Sequence, residues 1–515
     1  MTKEVKSIII LCIVSCFSSA LLTVLVAYPR GSGTDGAFYA LSGANLFLGN
    51  GFTYSDVPNT FTWPLFSVLI GILNLLLDDL QISGHVVLVL SFSLSIIPFY
   101  FAVKNFFGER TARIAVYLYF LNGFLLRLSG RFLAESLLIF CLLCALYYVS
   151  AIIKSDRESS AITIRDPILA GFFLGLAYLT KPEAFQYFII GWLFLSIMLI
   201  RKHKKHLVQS SAMFAVFTLT VLPQIFFIHE VTGKWELSTY NRFLFRGYVE
   251  PLVSLNPGEA AKDRSVEHNY NAYIVRGPYT KEQRDDDLAG LRQHSLQYTK
   301  SLLTIIGPFH IFILLCSFFL YDPALKSARN LLILFMIPVI TLFFWYNPVD
   351  RHFIVFIPFF IILSAAVLDQ IYIRYNRQGR YIVWITCALL FLQSYTPIAN
   401  HAPSNAVIGN HRKMGEWMRD HLPEARGKLI ADRKPYIAFL AQARYYRYNQ
   451  TPDIGTLKTI LKENKIDYLI VDDFYTKTKN PGVAELLDGR DRPNFQFIHA
   501  VEDSIWGKAI LYLVK

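Results

Sequence analysis

Apolar residues in this chain come in long uninterrupted runs joined by short polar and basic connections, the pattern of a polytopic membrane protein. The first run is Ser7–Tyr28, preceded by Lys3 and Lys6. Ser18-Ser19-Ala20 resembles the cleavage site of a secretory leader, but the apolar stretch is too long for one. It reads as an uncleaved anchor whose N-terminus stays in the cytoplasm.

The next run, Trp63–Leu77, decides the topology. At about 15 residues it falls short of the roughly 20 that cross a bilayer. If it spanned, every later basic connection would move outside. If it lies in the outer interface, Lys104, Arg110, Arg113, Lys154, Arg157, Arg165, the cluster Arg201, Lys202, Lys204 and Lys205, and then Lys326, Arg329, Arg374, Arg377 and Arg380 all fall inside. The bias of cytoplasmic connections toward Lys and Arg selects the interfacial helix. Further spans are then expected at 84–103, 111–127, 133–153, 167–181, 184–200, 207–228, 299–320, 330–346, 353–373 and 381–398, about eleven with the first.

Two polar regions complete this organisation. The expected transmembrane domain is 1–398, with outer loops at 29–83 and 230–298, and the remainder, 399–515, is expected to be a small extracytoplasmic α/β domain. Within it Lys413–His421, Ile437–Ala443 and Thr456–Asn464 read as helices. Leu429–Asp432 and Tyr468–Val471 read as strands, the second ending in Asp472-Asp473. No internal repeat or low-complexity segment is visible.

Composition agrees, with 54% hydrophobic against 17% charged residues and a mean hydropathy of +0.37, well to the apolar side of a soluble domain. The net charge of +12 would point to nucleic acid in a soluble chain, but here the basic residues set topology, and no basic groove with interleaved aromatics accompanies them. All six cysteines lie inside apolar runs, which excludes a disulfide framework and a structural zinc-thiolate site.

The candidate chemistry gathers on one side of the membrane. Asp35, in Thr34-Asp35-Gly36, and Asp56 follow the first run, and acidic groups at such a boundary are costly without work or a partner. Asp35 also precedes a stretch, Ala37–Leu48, that could run as a helix it would cap. Asp78 and Asp79 follow the short run. Arg127, Arg131 and Glu135 lie at the outer end of two spans, and Arg131 and Glu135, four apart, would share a helix face as an ion pair. Lys181-Pro182-Glu183 and Asp350-Arg351-His352 fall at outer turns, where Arg351 could equally snorkel to headgroups. Such a rim supplies carboxylates to deprotonate a hydroxyl and cations to neutralise a phosphate leaving group. A Walker-type loop, HExxH and GxSxG are absent. Asn449-Gln450-Thr451 is a formal glycosylation sequon.

These residues resemble the GT-C superfamily of polyprenyl-phosphate-dependent glycosyltransferases, nearest the protein O-mannosyltransferase and lipid A aminoarabinose transferase group. The likeness runs in order through TDGAFYALSGANLFLGNGFTYSD, WPLFSVLIGILNLLL, FFGERTARIAVYLYFLNGFLLRLSGRFLAESLLIF, GFFLGLAYLTKPEAF, DRHFIVFIPFFIILSA and the tail EWMRDHLPEARGKLIADRKPYIAFLAQARYY. The resemblance implies that Asp35 is the catalytic base and that Lys181 and Arg351, with Arg131, hold the donor phosphate. Asp56, Glu135, Glu183 and His352 would line the cavity or meet the acceptor. Where the family often has Asp-Glu and a Pro-Pro pair in the first loop, this chain has Asp35-Gly36 and only Pro64.

The expected function is inverting transfer of one sugar from a polyprenyl-phosphate donor to a lipid, glycan or protein acceptor at the outer face of a membrane, the bacterial inner membrane in the first instance. No cofactor is demanded, although the acidic rim would admit a divalent cation. A glycolipid transporter or flippase is the second reading, and it would place polar residues at the bilayer midplane with signs of duplication. A receptor or assembly role for the tail is a third.

Overall fold

The computed structural model describes residues 3–28, 33–55, 57–202, 207–239, 295–296, 298–317, 326–345, 350–400, 409–448, 451 and 453–515. Asp56, the Asp350 side chain, most of the 230–298 loop and Asn449-Gln450 of the sequon lie outside them. The chain divides into two compact units, the first made of residues 1–16, 91–128 and 135–401 and the second of 17–90, 129–134 and 402–515.

The first unit is helical. Its elements include Glu109–Phe120, most of Gly123–Gly130, Glu135–Arg157, Arg165–Thr180, Ala184–Lys202, Leu207–Thr232, Gly307–Ser317, Lys326–Trp345 and Ile357–Asn400. Close backbone approach explains the glycines of GFFLG. A side chain at Gly171 would strike the Met213 backbone, and one at Gly175 would meet Thr220 at 2.6 Å, so helix Arg165–Thr180 lies directly on Leu207–Thr232. The stacked rings of Phe188 and Phe217, 3.5 Å apart, close the neighbouring seam.

Among the described residues, five helices are long and apolar enough to cross a membrane: Val5–Ala27, Leu80–Phe107, Glu135–Arg157, Leu207–Thr232 and Ile357–Tyr375. A sixth, Tyr298–Ile305 with Gly307–Ser317, is bent by 80°. Helical segments also lie within the other expected spans. The span expected at 111–127 is broken after Phe120, and the one at 353–373 is interrupted after Ile354.

Breaks in apolar helices free backbone groups that need partners. At the 80° bend Gly307 adopts φ +78. There the Gln393 amide donates to Ile306 O at 2.8 Å and accepts from Phe309 N at 3.2 Å. At the break after Phe120, Asn122 Oδ1 accepts from the Phe124 and Leu125 amides, both at 3.1 Å, and Ser394 Oγ accepts from Gly123 N at 3.0 Å.

The second unit contains helix Gly33–Phe47, a two-stranded ribbon of β1 (Thr53–Tyr54) and β2 (Val57–Pro58), helix Pro64–Leu77 and the sheet of the C-terminal region. Pro64–Leu77 has 14 residues, about 21 Å at 1.5 Å per residue, well short of the ~30 Å hydrocarbon layer. It crosses Gly33–Phe47 where Gly43 and Gly71 meet: a side chain at Gly71 would stand 2.7 Å from the Gly43 carbonyl.

The C-terminal sheet has five strands, β3 (Leu429–Asp432), β4 (Arg444–Arg447), β5 (Tyr468–Asp472), β6 (Phe495–Asp503) and β7 (Gly507–Val514), in the order β4-β3-β5-β7-β6. The first three are parallel, and β7 runs antiparallel to both β5 and β6. Strands β3 and β5 are buried along their whole length, as central parallel strands are, and read LIAD and YLIVD. Leu457 and Leu461 of helix Ile454–Glu463 join Leu469, Val471, Phe495 and Tyr512 in its core. Asp453 caps that helix by accepting from Thr456 N at 2.7 Å.

Candidate active site

In the first unit, three interruptions of helices bring charged residues together. Helix Arg165–Thr180 stops because Pro182 follows: the residue before a proline is driven out of the helical region, and Lys181 is extended at φ −156, ψ 138. Glu135 opens the helix Glu135–Arg157 after the irregular stretch 131–134, and Arg351 lies on the five-residue helix Asp350–Ile354. Lys181 Nζ donates to Glu135 Oε1 at 2.7 Å, and Arg351 Nε lies 3.7 Å from the same oxygen.

Glu135 is 1% exposed, so its charge cannot rely on water. One carboxylate oxygen meets two cations here. Among the described residues, neither Glu135 Oε2 nor Glu183 Oε2 has a hydrogen-bond partner. His352, next in sequence to Arg351, is held well below the ordinary imidazole range by burial and then by the charges of Lys181 and Arg351, with Glu135 opposing. It is therefore neutral, and a neutral imidazole has one accepting and one donating nitrogen.

The expected helix-face pairing of Arg131 with Glu135 is not what the chain does. Helix Gly123–Gly130 ends at Gly130, the stretch 131–134 is irregular, and the next helix begins at Glu135, so the two residues share no helix. Glu135 turns instead to Lys181 and Arg351. Arg131 belongs to the second unit.

Asp35 also belongs to the second unit, as the third residue of helix Gly33–Phe47. It sits inside the first turn rather than in the capping position, where a negative charge favours the helix dipole. Gly36 follows because Phe132 stands against it: an added Cβ would lie 2.6 Å from that ring and 2.7 Å from the Phe132 carbonyl. The C-terminal region reaches this same turn. Tyr436 OH and Thr34 Oγ1 are hydrogen-bonded at 2.7 Å, and the half-buried Lys434 ammonium feels the charge of Asp35. Burial is the main influence on Lys434 and lowers it, followed by Arg433 and Arg447, with Asp432 and Asp35 opposing.

Two other rim acids have structural occupations. Asp78 forms a two-pronged pair with Arg426, one arm at 3.0 Å, and its carbonyl accepts from Gln442 at 2.6 Å. Asp79 caps helix Leu80–Phe107, accepting from Ile82 N at 2.8 Å. Neither Lys434 nor Tyr436 stands out in the sequence, because the contact joins residues 402 apart. The grouping of His, Cys, Asp and Glu among the described residues close enough to hold a metal is His411 with Asp432 and Asp472.

Comparison with known proteins places this geometry in context. Residues 56–227 match the family described as dolichyl-phosphate-mannose-protein mannosyltransferase. The structure of ArnT from Cupriavidus metallidurans bound to undecaprenyl phosphate superposes with a TM-score of 0.63 at 12% identity, covering 99% of this chain and 97% of that one. The oligosaccharyltransferase AglB from Archaeoglobus fulgidus, in complex with an inhibitory peptide and a dolichol-phosphate, gives 0.57 at 13%, covering 98% and 74%. The same archaeal enzyme in complex with Zn and sulfate gives 0.59 at 14%, covering 97% and 72%. No curated protein sequence matches. The chain thus resembles the GT-C glycosyltransferases in fold over nearly its whole length and the mannosyltransferase family in sequence over residues 56–227.

Proposed function

We propose that this protein is an integral-membrane, inverting glycosyltransferase that moves one sugar from a polyprenyl-phosphate carrier to a lipid, glycan or protein acceptor at the extracytoplasmic face. The observation that carries the reading is the cluster of Glu135, Lys181 and Arg351, two cations gathered on one buried carboxylate at helix breaks, groups of the kind that hold a phosphate. The GT-C fold, shared with a structure holding undecaprenyl phosphate, supports it.

In this reading Asp35 accepts the proton of the acceptor hydroxyl while that oxygen bonds to the anomeric carbon. The bond from that carbon to the phosphate oxygen breaks, its electron pair leaves on the polyprenyl phosphate, and the configuration inverts. Lys181 and Arg351, with Arg131, neutralise the charge that appears on the leaving phosphate. Glu135 holds the two nearer cations in place, and neutral His352 supplies a hydrogen bond to donor or acceptor. Asp56 and Glu183 remain candidates for acceptor contact.

The topology proposed with this function has about eleven spans, a cytoplasmic N-terminus, Pro64–Leu77 in the outer interface and residues 399–515 outside, in a bacterial inner membrane. A divalent cation at the reaction centre is not required by it.

The test is Asp35→Asn beside wild type, each incubated with labelled polyprenyl-phosphate sugars and a membrane extract as acceptor. General-base loss should lower transfer by about 10²–10⁴-fold while donor binding persists. Equal transfer by the variant would remove Asp35 from the mechanism. Label carried across liposomes by wild type, without transfer, would establish the transporter reading instead.

A further inference from the structure

The C-terminal sheet buries a charged cluster that the transferase chemistry does not use. His411, on helix Gly409–His421, is 1% exposed; Asp432 ends β3 at 0%, and Asp472 ends β5 at 4%. Strands β3 and β5 are adjacent and parallel, and the chain leaves β3 for β4 on one side before returning to β5 on the other. Their C-terminal ends therefore flank the point where the strand order reverses, the place where open α/β sheets bind ligands.

Each carboxylate spends one oxygen locally. Asp432 Oδ1 accepts from Arg433 N at 2.6 Å and Asp472 Oδ1 from Tyr475 N at 2.8 Å. The other oxygens face the imidazole, Asp432 Oδ2 at 3.4 Å from Nδ1 and Asp472 Oδ2 at 3.5 Å from Nε2. These separations exceed the ~2.7–2.9 Å of a charge-assisted bond. Both ring nitrogens and Asp432 Oδ2 lack a hydrogen-bond partner among the described residues, although all are buried.

We propose that His411, Asp432 and Asp472 form a binding site for one divalent cation of the zinc or manganese class. One ligand atom from each residue lies within 4.8 Å of the others. Two donors each ~2.1 Å from one ion stand ~3.0–3.4 Å apart, which the 3.4 Å from Nδ1 to Asp432 Oδ2 matches, and Asp472 would close in by a small shift to complete the set. The ion would take one ring nitrogen and Asp432 Oδ2 as partners, and its two positive charges balance two carboxylates around a neutral ring. One nitrogen with two carboxylate oxygens suits zinc or manganese better than calcium or magnesium, which prefer oxygen alone.

Neighbouring cations have other occupations. Arg433 lies over the Tyr475 ring at 4.0 Å, and Lys434 divides its charge between Asp432 and Asp35. The ion would fix the turn from Asp432 to Tyr436, which carries the hydroxyl bonded to Thr34. Its role is thus structural and does not depend on the transferase reading.

The full chain is purified in detergent without a metal-affinity resin, stripped with EDTA and titrated with Zn²⁺ or Co²⁺. Wild type should take up about one ion per chain, show the visible absorption of Co²⁺ bound to nitrogen and oxygen ligands, and unfold at a higher temperature when zinc is restored. His411→Gln and Asp432→Asn should each weaken uptake at least about tenfold. The exposed Asp420→Asn should leave it unchanged. Wild type that binds no more metal than His411→Gln, or unfolds at the same temperature with EDTA and with zinc, overturns the site. Equal loss in Asp420→Asn would do so as well. Should the variants fail to fold, the wild-type titration alone decides.

Discussion

Replacing Lys181 by Met removes a cation while keeping the stem that fills the turn before Pro182. Glu135, 1% exposed, then loses its 2.7 Å partner and retains only Arg351 at 3.7 Å. Stranding one member of a buried ion pair costs about 3–5 kcal/mol, and the Lys181 ammonium, 13% exposed, gives little solvent relief to discount. Adding Glu135→Gln to Lys181→Met removes the stranded charge, so the double variant should recover much of that loss. The coupling between the two changes should be roughly 1–3 kcal/mol.

Function gives a second readout. If Lys181 holds the donor phosphate, its loss removes a charge-assisted hydrogen bond worth about 1.5–3 kcal/mol. The KM for the lipid-linked donor should then rise about 10–150-fold in both single and double variants, even where stability has recovered. Thermal unfolding of the four proteins in one detergent, with donor kinetics on each, separates the two effects. Additive destabilisation would refute the buried-pair reasoning. A donor KM unchanged in a folded Lys181→Met protein would refute the phosphate role.

Lowering the pH through the ordinary imidazole value of 6.5 should destabilise the protein, because the unfolded state takes a proton that His352 refuses when folded. The slope approaches about 1.4 kcal/mol per pH unit below that value, and pH-dependent unfolding of His352→Gln should lack this share. Tyr436→Phe leaves Thr34 without its 2.7 Å partner and should cost about 0.5–1.5 kcal/mol, seen as a small fall in unfolding temperature with the rest of the C-terminal core unchanged. Gly71→Ala forces apart two helices whose backbones touch and should cost about 1–3 kcal/mol, with faster proteolysis of the Gly33–Leu77 region as the readout. Arg426→Ala, by contrast, removes an exposed pair with Asp78 and should shift stability by no more than about 1 kcal/mol, less in high salt.

Local pattern carried most of the helical layout and little of the site. Apolar runs announced the helices because length and composition are local properties, and LIAD and YLIVD announced β3 and β5 for the same reason. Strand β4, Arg-Tyr-Tyr-Arg, has charged ends and earned no strand expectation; parallel pairing with β3 makes it one. The β6–β7 hairpin escaped likewise, since β6 is exposed or half-buried beyond its first residue and carries His499 and Glu502, and β7 opens with Gly507-Lys508. The breaks at Phe120 and Ile306 were invisible because distant residues stabilise them. Lys181 and Arg351 were legible as charged residues at turns. Their common partner was not: Glu135 lies 46 residues from Lys181, and a four-residue spacing pointed to Arg131 instead.

The two helix breaks closed by Gln393 and Ser394 bear on how the chain is made. Synthesis delivers the N-terminal end first, so the Gly123 amide emerges 271 residues ahead of the hydroxyl that receives it, and the Ile306 carbonyl 87 ahead of its amide donor. Neither break can reach its final hydrogen bonding until residues 393 and 394 have been inserted. The last long helix therefore acts as a latch on earlier ones, and a nascent chain halted before it would carry both breaks with backbone groups still seeking partners.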